Sequence, residues 1–430
     1  MGRWLAVGAA AGVLLLVGVV SLVRLVASQA VHSGPDVVLP PTSGQSGYVQ
    51  PGERLEQLLS AQGEALLRGD EQGWLAPLDP DDAQLREAYR SQFRTLRALR
   101  VSSWQARPVV RPLLKRGEET STDVTVAYCL AVPKCPPARF VGPEAPQLTQ
   151  ELTVRWGPDE QTVTITGSRA AERDRYGSRP LPWEDGGLTV REGRRVIVAA
   201  APGETERLAE AVSAGDQAAS VVDRYGRLAG REVPERYIVF LAGAGEWRTW
   251  RGGTAPEWAA AYAYGAGKTP SNVVVQMAEM RDRAGLLSTL RHEFGHVITV
   301  PGTDDILGSI HQWLVEGIAE YIQWGGRPPA RAQLTEVRAH LRGGQWRGSI
   351  QLPRLASTSS DAEARVFYLM NHLTMTCVAD RHGEAKLFRW WYAMVSEGSA
   401  NYEPATRESL GESFAALDRA CVSHLRRAVG

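Results

Sequence analysis

An excess of charge of one sign is missing from this sequence. Its 430 residues carry 48 basic and 48 acidic side chains, so the formal net charge is zero. Proteins built mainly to bind nucleic acid have a basic excess that neutralises phosphates. We therefore predict no nucleic acid partner. With 43% apolar and 22% charged residues, the composition is typical of a globular protein.

A complete phosphate-binding loop is also absent. Residues 265–269 (GAGKT) match the end of such a loop, but its first glycine would have to stand at position 262, which is Tyr262. Pro270 interrupts the helix that should follow the loop. We therefore predict no nucleotide partner.

Cysteine is scarce, and no two cysteines have the close spacing of zinc-knuckle ligands. Cys129 and Cys135 lie close together, and Cys377 and Cys421 stand far downstream. In an oxidising compartment this even number predicts two disulfides, with each cysteine paired to its nearer neighbour. Buried free thiols are the alternative.

One long apolar run, residues 4–23, stands near the amino terminus. At about 1.5 Å per residue, a helix of this length crosses a hydrocarbon layer roughly 30 Å thick. We predict an uncleaved transmembrane anchor over residues 1–27. It would place a single-pass protein in the cell membrane, with the folded part extracytoplasmic. The alternative is a signal peptide removed near residue 30, which would leave a secreted protein.

The rest of the chain predicts an α+β protein in three further segments. Residues 28–52, rich in Pro, Gly and Ser, predict a linker. Residues 53–185 have helical apolar spacing followed by alternating strands, which predicts a small domain of helices and a curled sheet. Its helical start resembles the cone-shaped fold named after nuclear transport factor two. Residues 186–430 predict a mixed sheet followed by a helical half.

The strongest chemical signal is the motif His292-Glu293-Phe294-Gly295-His296, preceded by helical apolar spacing. Residues four apart lie on one face of a helix, so His292 and His296 can share one metal ion. Zinc accepts two nitrogen ligands and a third protein ligand, with a fourth position open for water. Glu293 lies beside that position and can take a proton from the water.

The third ligand is predicted in the segment WLVEGIAEY, residues 313–321. Glu316 follows His296 by twenty positions, which is enough for one helix to end and a second to pack against it. Glu320 lies one turn further on the same face. We expect it to accept the free ring N–H of a ligating histidine and so to fix the tautomer of that ring.

HEFGH followed by WLVEGIAEY resembles the gluzincin (peptidase-MA-like) zinc metallopeptidases. The resemblance implies a gluzincin-type domain over residues 186–430, a zinc ion as cofactor and a peptide or protein as substrate. It implies that His292, His296 and Glu316 bind zinc and that Glu293 is the catalytic base. Tyr368, or His372 one turn later, takes the role of the residue that stabilises the oxyanion.

The aminopeptidases of this group hold a substrate amino terminus with a motif that this sequence lacks. Residues 276–280 (QMAEM) are superficially similar but lie too close to His292. The sequence therefore favours an endopeptidase, with Val273–Val275 as an edge strand for the peptide or, alternatively, as an interior strand. The competing function is an inactive receptor or scaffold that retains a peptidase fold.

Overall fold

The structure, a computed structural model, describes residues 51–430 with short gaps. The gaps are residues 111, 113–116, 138–144, 158–161, 171–180, 185, 252–257, 266–267, 301–310, 345 and 397–400. The predicted anchor, and all but the last two residues of the predicted linker, lie outside the described residues. The described residues fall within one unit, which contains two sheets and their helices.

The first part of this unit has helices on a meandering sheet. The helices are α1 (Pro51–Arg68), α2 (Glu71–Leu75) and α3 (Ala83–Ala98). The strands are β1 (Val101–Pro108), β2 (Glu119–Leu130), β3 (Gln147–Trp156) and β4 (Val163–Ala170), paired antiparallel in chain order. Asp82 caps α3 by accepting a 2.9 Å hydrogen bond from the Leu85 N–H. This order agrees with the prediction of helices followed by alternating strands in residues 53–185.

A mixed five-stranded sheet follows. Its strands are β5 (Thr189–Glu192), β6 (Val196–Ala200), β7 (Tyr237–Ala242), β8 (Ala261–Tyr264) and β9 (Asn272–Gln276). Their order in the sheet is β5-β6-β7-β9-β8, with β6, β7 and β9 parallel and both outer strands antiparallel. The segment that resembles a phosphate-binding loop joins β8 to β9. Because a strand follows this segment, it lacks the helix that would bind phosphate.

Nine α-helices accompany this sheet in the described residues. They are α4 (Leu208–Leu228), α5 (Ala244–Arg251), α6 (Arg283–Thr299), α7 (Gln312–Gln323), α8 (Thr335–Arg342), α9 (Asp361–His382), α10 (Glu384–Ser396), α11 (Glu403–Leu410) and α12 (Phe414–Val429). After residue 282 the regular elements of the described residues are all helices, in agreement with the predicted helical half.

The central strands of the second sheet are buried on both faces. Successive side chains of a strand point to opposite faces, so alternate residues enter different cores. Val239 and Val273 pack into the core formed with α4, α6 and α7. Ile238, Phe240 and Val274 pack into the core that also contains the first sheet. The second sheet therefore lies between the first sheet and the helical half.

The predicted fold class was right in being α+β and wrong in including a transmembrane helix. Within the described part of the chain, no helix is both long and apolar enough to cross a membrane. The segment predicted to do so, residues 1–27, is outside that part.

The disulfide prediction is confirmed. Cys129 bonds to Cys135, and Cys377 bonds to Cys421. The second bond joins α9 to α12, so it links the middle of the helical half to its last helix.

Candidate metal centre

The two motif segments form the helices α6 and α7, which pack against each other. Asp282 begins α6 by accepting a 2.8 Å hydrogen bond from the Gly285 N–H. From Glu293 to Thr299 every residue of α6 is buried, as is most of α7. The polar side chains of both motifs are therefore held in an apolar environment, where they need partners.

Two glycines bring the helices into close contact. A Cβ added to Gly295 of α6 would lie 3.3 Å from the Cα of Ala319 on α7. A Cβ added to Gly317 would lie 3.2 Å from the backbone oxygen of Asn371 on α9 and 2.9 Å from Met375 Cε. Gly317, the residue after Glu316, is thus required for packing, because its lack of a side chain lets α7 lie against α9.

His292, His296 and Glu316 converge on one point. The two histidine Nε2 atoms lie 3.1 Å apart. Glu316 Oε2 lies 3.2 Å from His292 Nε2 and 3.4 Å from His296 Nε2. Ligands about 2.0–2.1 Å from a tetrahedral zinc ion lie about 3.3 Å from one another. The three atoms therefore form a triangle of the size that one zinc ion requires.

The charges of these groups are strongly coupled. Burial raises the pKa of the Glu316 carboxyl, but the imidazoles of His296 and His292 outweigh it and bring this pKa to about 2. Burial likewise lowers the pKa of His292, and the carboxylates of Glu316 and Glu320 outweigh it, so that this pKa is well above the usual value. The cluster thus has a strong preference for positive charge near its centre, which a divalent cation can supply.

The other ring nitrogen of His292 has two oxygen neighbours on α7. Its Nδ1 lies 3.2 Å from Glu320 Oε1 and 3.0 Å from Gln323 Oε1. Both oxygens accept a proton on Nδ1, and this tautomer leaves the Nε2 lone pair free for a metal. Glu320 therefore lies where its spacing predicted, and sequence reasoning missed Gln323.

Glu293 is buried, with 6% of its surface exposed. Its Oε2 has no hydrogen-bond partner among the described residues. Burial raises the pKa of its carboxyl, and the neighbouring charge of Glu316 adds to this, against the opposing effect of both histidines. The carboxyl is therefore a stronger base than an exposed glutamate.

Tyr368 and His372 have different surroundings although both lie on α9. The Tyr368 ring meets the His292 ring edge-on, with 5.8 Å between centroids. His372 is fully buried, and its Nε2 lies 2.9 Å from the backbone oxygen of Arg327. Its ring stacks on Trp324, 6.4 Å away between centroids. Of the two candidates, only Tyr368 has a ring contact with His292 in the described residues.

Of the two alternatives for Val273–Val275, the edge strand was wrong and the interior strand is confirmed. These residues belong to β9, which lies between β7 and β8. The outermost described strand on this side is β8, which packs against α6. Trp258, just before β8, meets the Tyr368 ring 6.2 Å away. Sequence reasoning missed both β8 and Trp258, since β8 is only four residues long and has no aliphatic β-branched residue.

No protein-family model matches this chain, and no curated protein does. Among solved structures, it is similar to an M1 zinc metallopeptidase from Deinococcus radiodurans, at 14% identity over 74% of this chain and 91% of that one, with a TM-score of 0.33. A mutant bound to a Tyr-Ser-Ala substrate gives 15% identity, the same coverage and a TM-score of 0.34.

A third match is a two-domain M1 zinc metallopeptidase mutant bound to L-arginine. It is 14% identical over 76% of this chain and 62% of that one, with a TM-score of 0.32. This chain therefore spans less than two thirds of that enzyme. The matches are too distant to assign a function, and none of these comparisons supports the resemblance of residues 53–185 to the cone-shaped fold.

Proposed function

We propose that this protein is a zinc-dependent peptidase. The observation that carries the proposal is the triangle of His292 Nε2, His296 Nε2 and Glu316 Oε2, with sides of 3.1–3.4 Å. Three protein ligands and one open position are typical of a catalytic zinc site, whereas structural zinc sites have four protein ligands. Glu293 supplies a buried base next to the triangle.

Each residue has a role in peptide hydrolysis. Zinc, when bound, activates water and polarises the substrate carbonyl. Glu293 Oε2 takes the proton of the attacking water and then gives it to the leaving amine, and its raised pKa suits both steps. The Tyr368 hydroxyl donates a hydrogen bond to the oxygen on which negative charge develops. His372 does not compete for this role because its Nε2 is engaged by the Arg327 carbonyl.

The substrate binds along β8 as an added strand in this proposal. The Gln276 N–H donates to the Ala260 oxygen, so residues 260 and 276 form a hydrogen-bonded pair. Such pairs alternate along an antiparallel ladder, so the backbone groups of Ala261 and Ala263 point away from β9. Among the described residues these groups have no backbone partner, so we propose that they pair with an extended peptide, and β8 lies against the helix that carries His292.

Internal peptide bonds are the proposed target, because the sequence lacks the aminopeptidase motif. The solved structures, bound to single amino acids and a tripeptide, give this preference no support. A quenched fluorescent peptide with a blocked amino terminus tests it. An endopeptidase cleaves the blocked peptide, whereas an aminopeptidase cleaves only the matched peptide with a free amino terminus.

The central test is metal content and cleavage in residues 51–430 for the wild type, Glu316→Ala and Glu293→Gln. We expect about one zinc per chain in the wild type, because three ligands converge on one point. Glu316→Ala should lose zinc and activity, and Glu293→Gln should keep zinc and lose activity. Wild-type protein that binds zinc and cleaves no peptide of a broad library supports the second candidate, an inactive binding scaffold.

An extracytoplasmic location is proposed on the two disulfides, since such bonds persist in oxidising compartments. Titration of free thiols in protein from the native host tests it. Protein with no free thiol supports this location, and protein with four free thiols contradicts it.

A further inference from the structure

We propose that Gln323 is a positioning residue that orients His292 for zinc, together with Ser288. The inference rests on the metal site of the proposed function. It concerns a side chain that does not itself reach the three ligand atoms. Gln323 is the last residue of α7 and is only partly buried.

The imidazole of His292 carries one proton when its other nitrogen binds a metal. The proton on Nδ1 has two acceptors, Gln323 Oε1 at 3.0 Å and Glu320 Oε1 at 3.2 Å. Gln323 is the closer acceptor. Two acceptors at Nδ1 leave the ring less freedom to rotate than one would, so its Nε2 remains directed at the ligand triangle.

Ser288 decides which end of the Gln323 amide faces the histidine. The Gln323 Nε2 donates a 2.9 Å hydrogen bond to Ser288 Oγ. If the amide turned over, its NH₂ would face the N–H of His292 and both groups would be donors. Ser288 stands one turn before His292 on α6, so Gln323 contacts two successive turns of that helix.

Glu320 is restrained separately, by the residue after Gln323. The Trp324 Nε1 donates a 3.2 Å hydrogen bond to Glu320 Oε2, and this leaves Oε1 for the histidine. Glu320 and Gln323 are therefore held by different residues. Glu320 adds negative charge near His292, whereas Gln323 fixes the orientation of the ring. Neither side chain can fully replace the other.

The test measures the zinc dissociation constant of the full chain by competition with a chelator. Gln323→Met keeps the length of the side chain and removes the acceptor, so zinc affinity should fall about 10–100-fold, as for other groups that orient metal ligands. Gln323→Glu restores an acceptor, since a serine hydroxyl can donate in turn, and should bind zinc nearly as well as the wild type.

Ser288→Ala provides the matched control. It leaves the Gln323 acceptor in place but frees its amide to turn, so it should cause a smaller loss. Added to Gln323→Met it should cause no further loss, because the amide it restrains is gone. The melting temperature of the metal-free proteins should change little, which separates orientation from folding.

Wild-type affinity in Gln323→Met, or equal losses in Gln323→Met and Gln323→Glu, would overturn this role while leaving the peptidase proposal intact. Additive losses for Ser288→Ala and Gln323→Met would also overturn it. Failure of the proposed function has a different signature, because the wild type itself would then bind no zinc, or would bind zinc and cleave no peptide.

Discussion

Tyr368 and His372 lie one helical turn apart, yet they differ in what each side chain can do. Tyr368 lies beside His292, and His372 is engaged by a backbone carbonyl. We expect Tyr368→Phe to lower kcat about 100–1,000-fold with little change in KM, because the hydroxyl acts on charge that develops only during reaction. Steady-state kinetics on a cleaved peptide measure this.

His372→Gln is the comparison for that variant. Its amide N–H can still donate to the Arg327 oxygen, but loss of the stack on Trp324 should lower the melting temperature while kcat stays close to that of the wild type. A large fall in kcat for His372→Gln together with an unchanged Tyr368→Phe would reverse the assignment.

At the scale of single residues, the sequence predicts those contacts that depend on spacing within one helix. His292 and His296 share a face because four residues make about one turn, and Glu316 and Glu320 follow the same rule. Gln323 depends instead on how the end of α7 meets α6, since its partners Ser288 and His292 lie on the other helix. No spacing within one helix predicts a contact of that kind.

At the scale of secondary-structure elements, the close packing of α7 against α9 at Gly317 holds Glu316 in place. We expect Gly317→Ala to lower the free energy of unfolding by about 1–3 kcal/mol, because its Cβ would press on the Asn371 backbone oxygen 3.2 Å away. Displacement of α7 should also weaken zinc binding. Denaturant unfolding and chelator competition measure the two effects.

Gly285→Ala is the matched control, because the nearest atom to its Cβ would be Asp282 Oδ1 at an ordinary 3.5 Å. It should stabilise the protein by about 0.4–1 kcal/mol through the unfolded chain. A Gly317→Ala protein as stable as Gly285→Ala would mean that α7 and α9 have room to adjust.

Strand β8 gives a second prediction at this scale. Ala263→Pro removes an N–H that points away from β9, so the ladder between the strands should survive. We expect kcat/KM for peptides to fall about tenfold, since one backbone hydrogen bond is worth about 0.5–1.5 kcal/mol. Ala263→Gly keeps the N–H and should retain most activity. Equal kinetics for both variants would show that the peptide does not pair with Ala263.

The sequence predicts long elements better than short ones. Helices α6 and α9 have 17 and 22 residues, enough for apolar spacing to repeat over several turns. Strand β8 has four residues, and its edge position follows only from the order in which strands pair. Periodicity carries no information on that order, and for this reason the sequence leaves open whether Val273–Val275 is an edge or an interior strand.

At the scale of the whole molecule, the first sheet covers one face of the second. Ile238, Phe240 and Val274 share a core with residues of the first sheet such as Val124 and Leu152. The predicted boundary between residues 185 and 186 stays a prediction. Removal of residues 53–185 would expose this apolar face to water, so its effect on activity would include a loss of stability.

The two disulfides should differ in their contribution to stability. Cys377 and Cys421 are 44 residues apart in the chain, and Cys129 and Cys135 are six apart. A longer closed loop restricts the unfolded chain more, which predicts stabilisation of about 4 kcal/mol for the first bond and about 2.4 kcal/mol for the second. Paired Cys→Ala variants, unfolded by denaturant, measure the difference.

The Cys377–Cys421 bond also constrains the helix that carries Tyr368. Its removal should therefore lower the melting temperature more than removal of the Cys129–Cys135 bond. Zinc binding should persist in the variant that lacks Cys129 and Cys135, because Cys129 lies on β2 of the first sheet, whereas His292, His296 and Glu316 lie on α6 and α7. A greater loss on removing the short loop would mean that native packing around Cys129, which is fully buried, outweighs the entropy of loop closure.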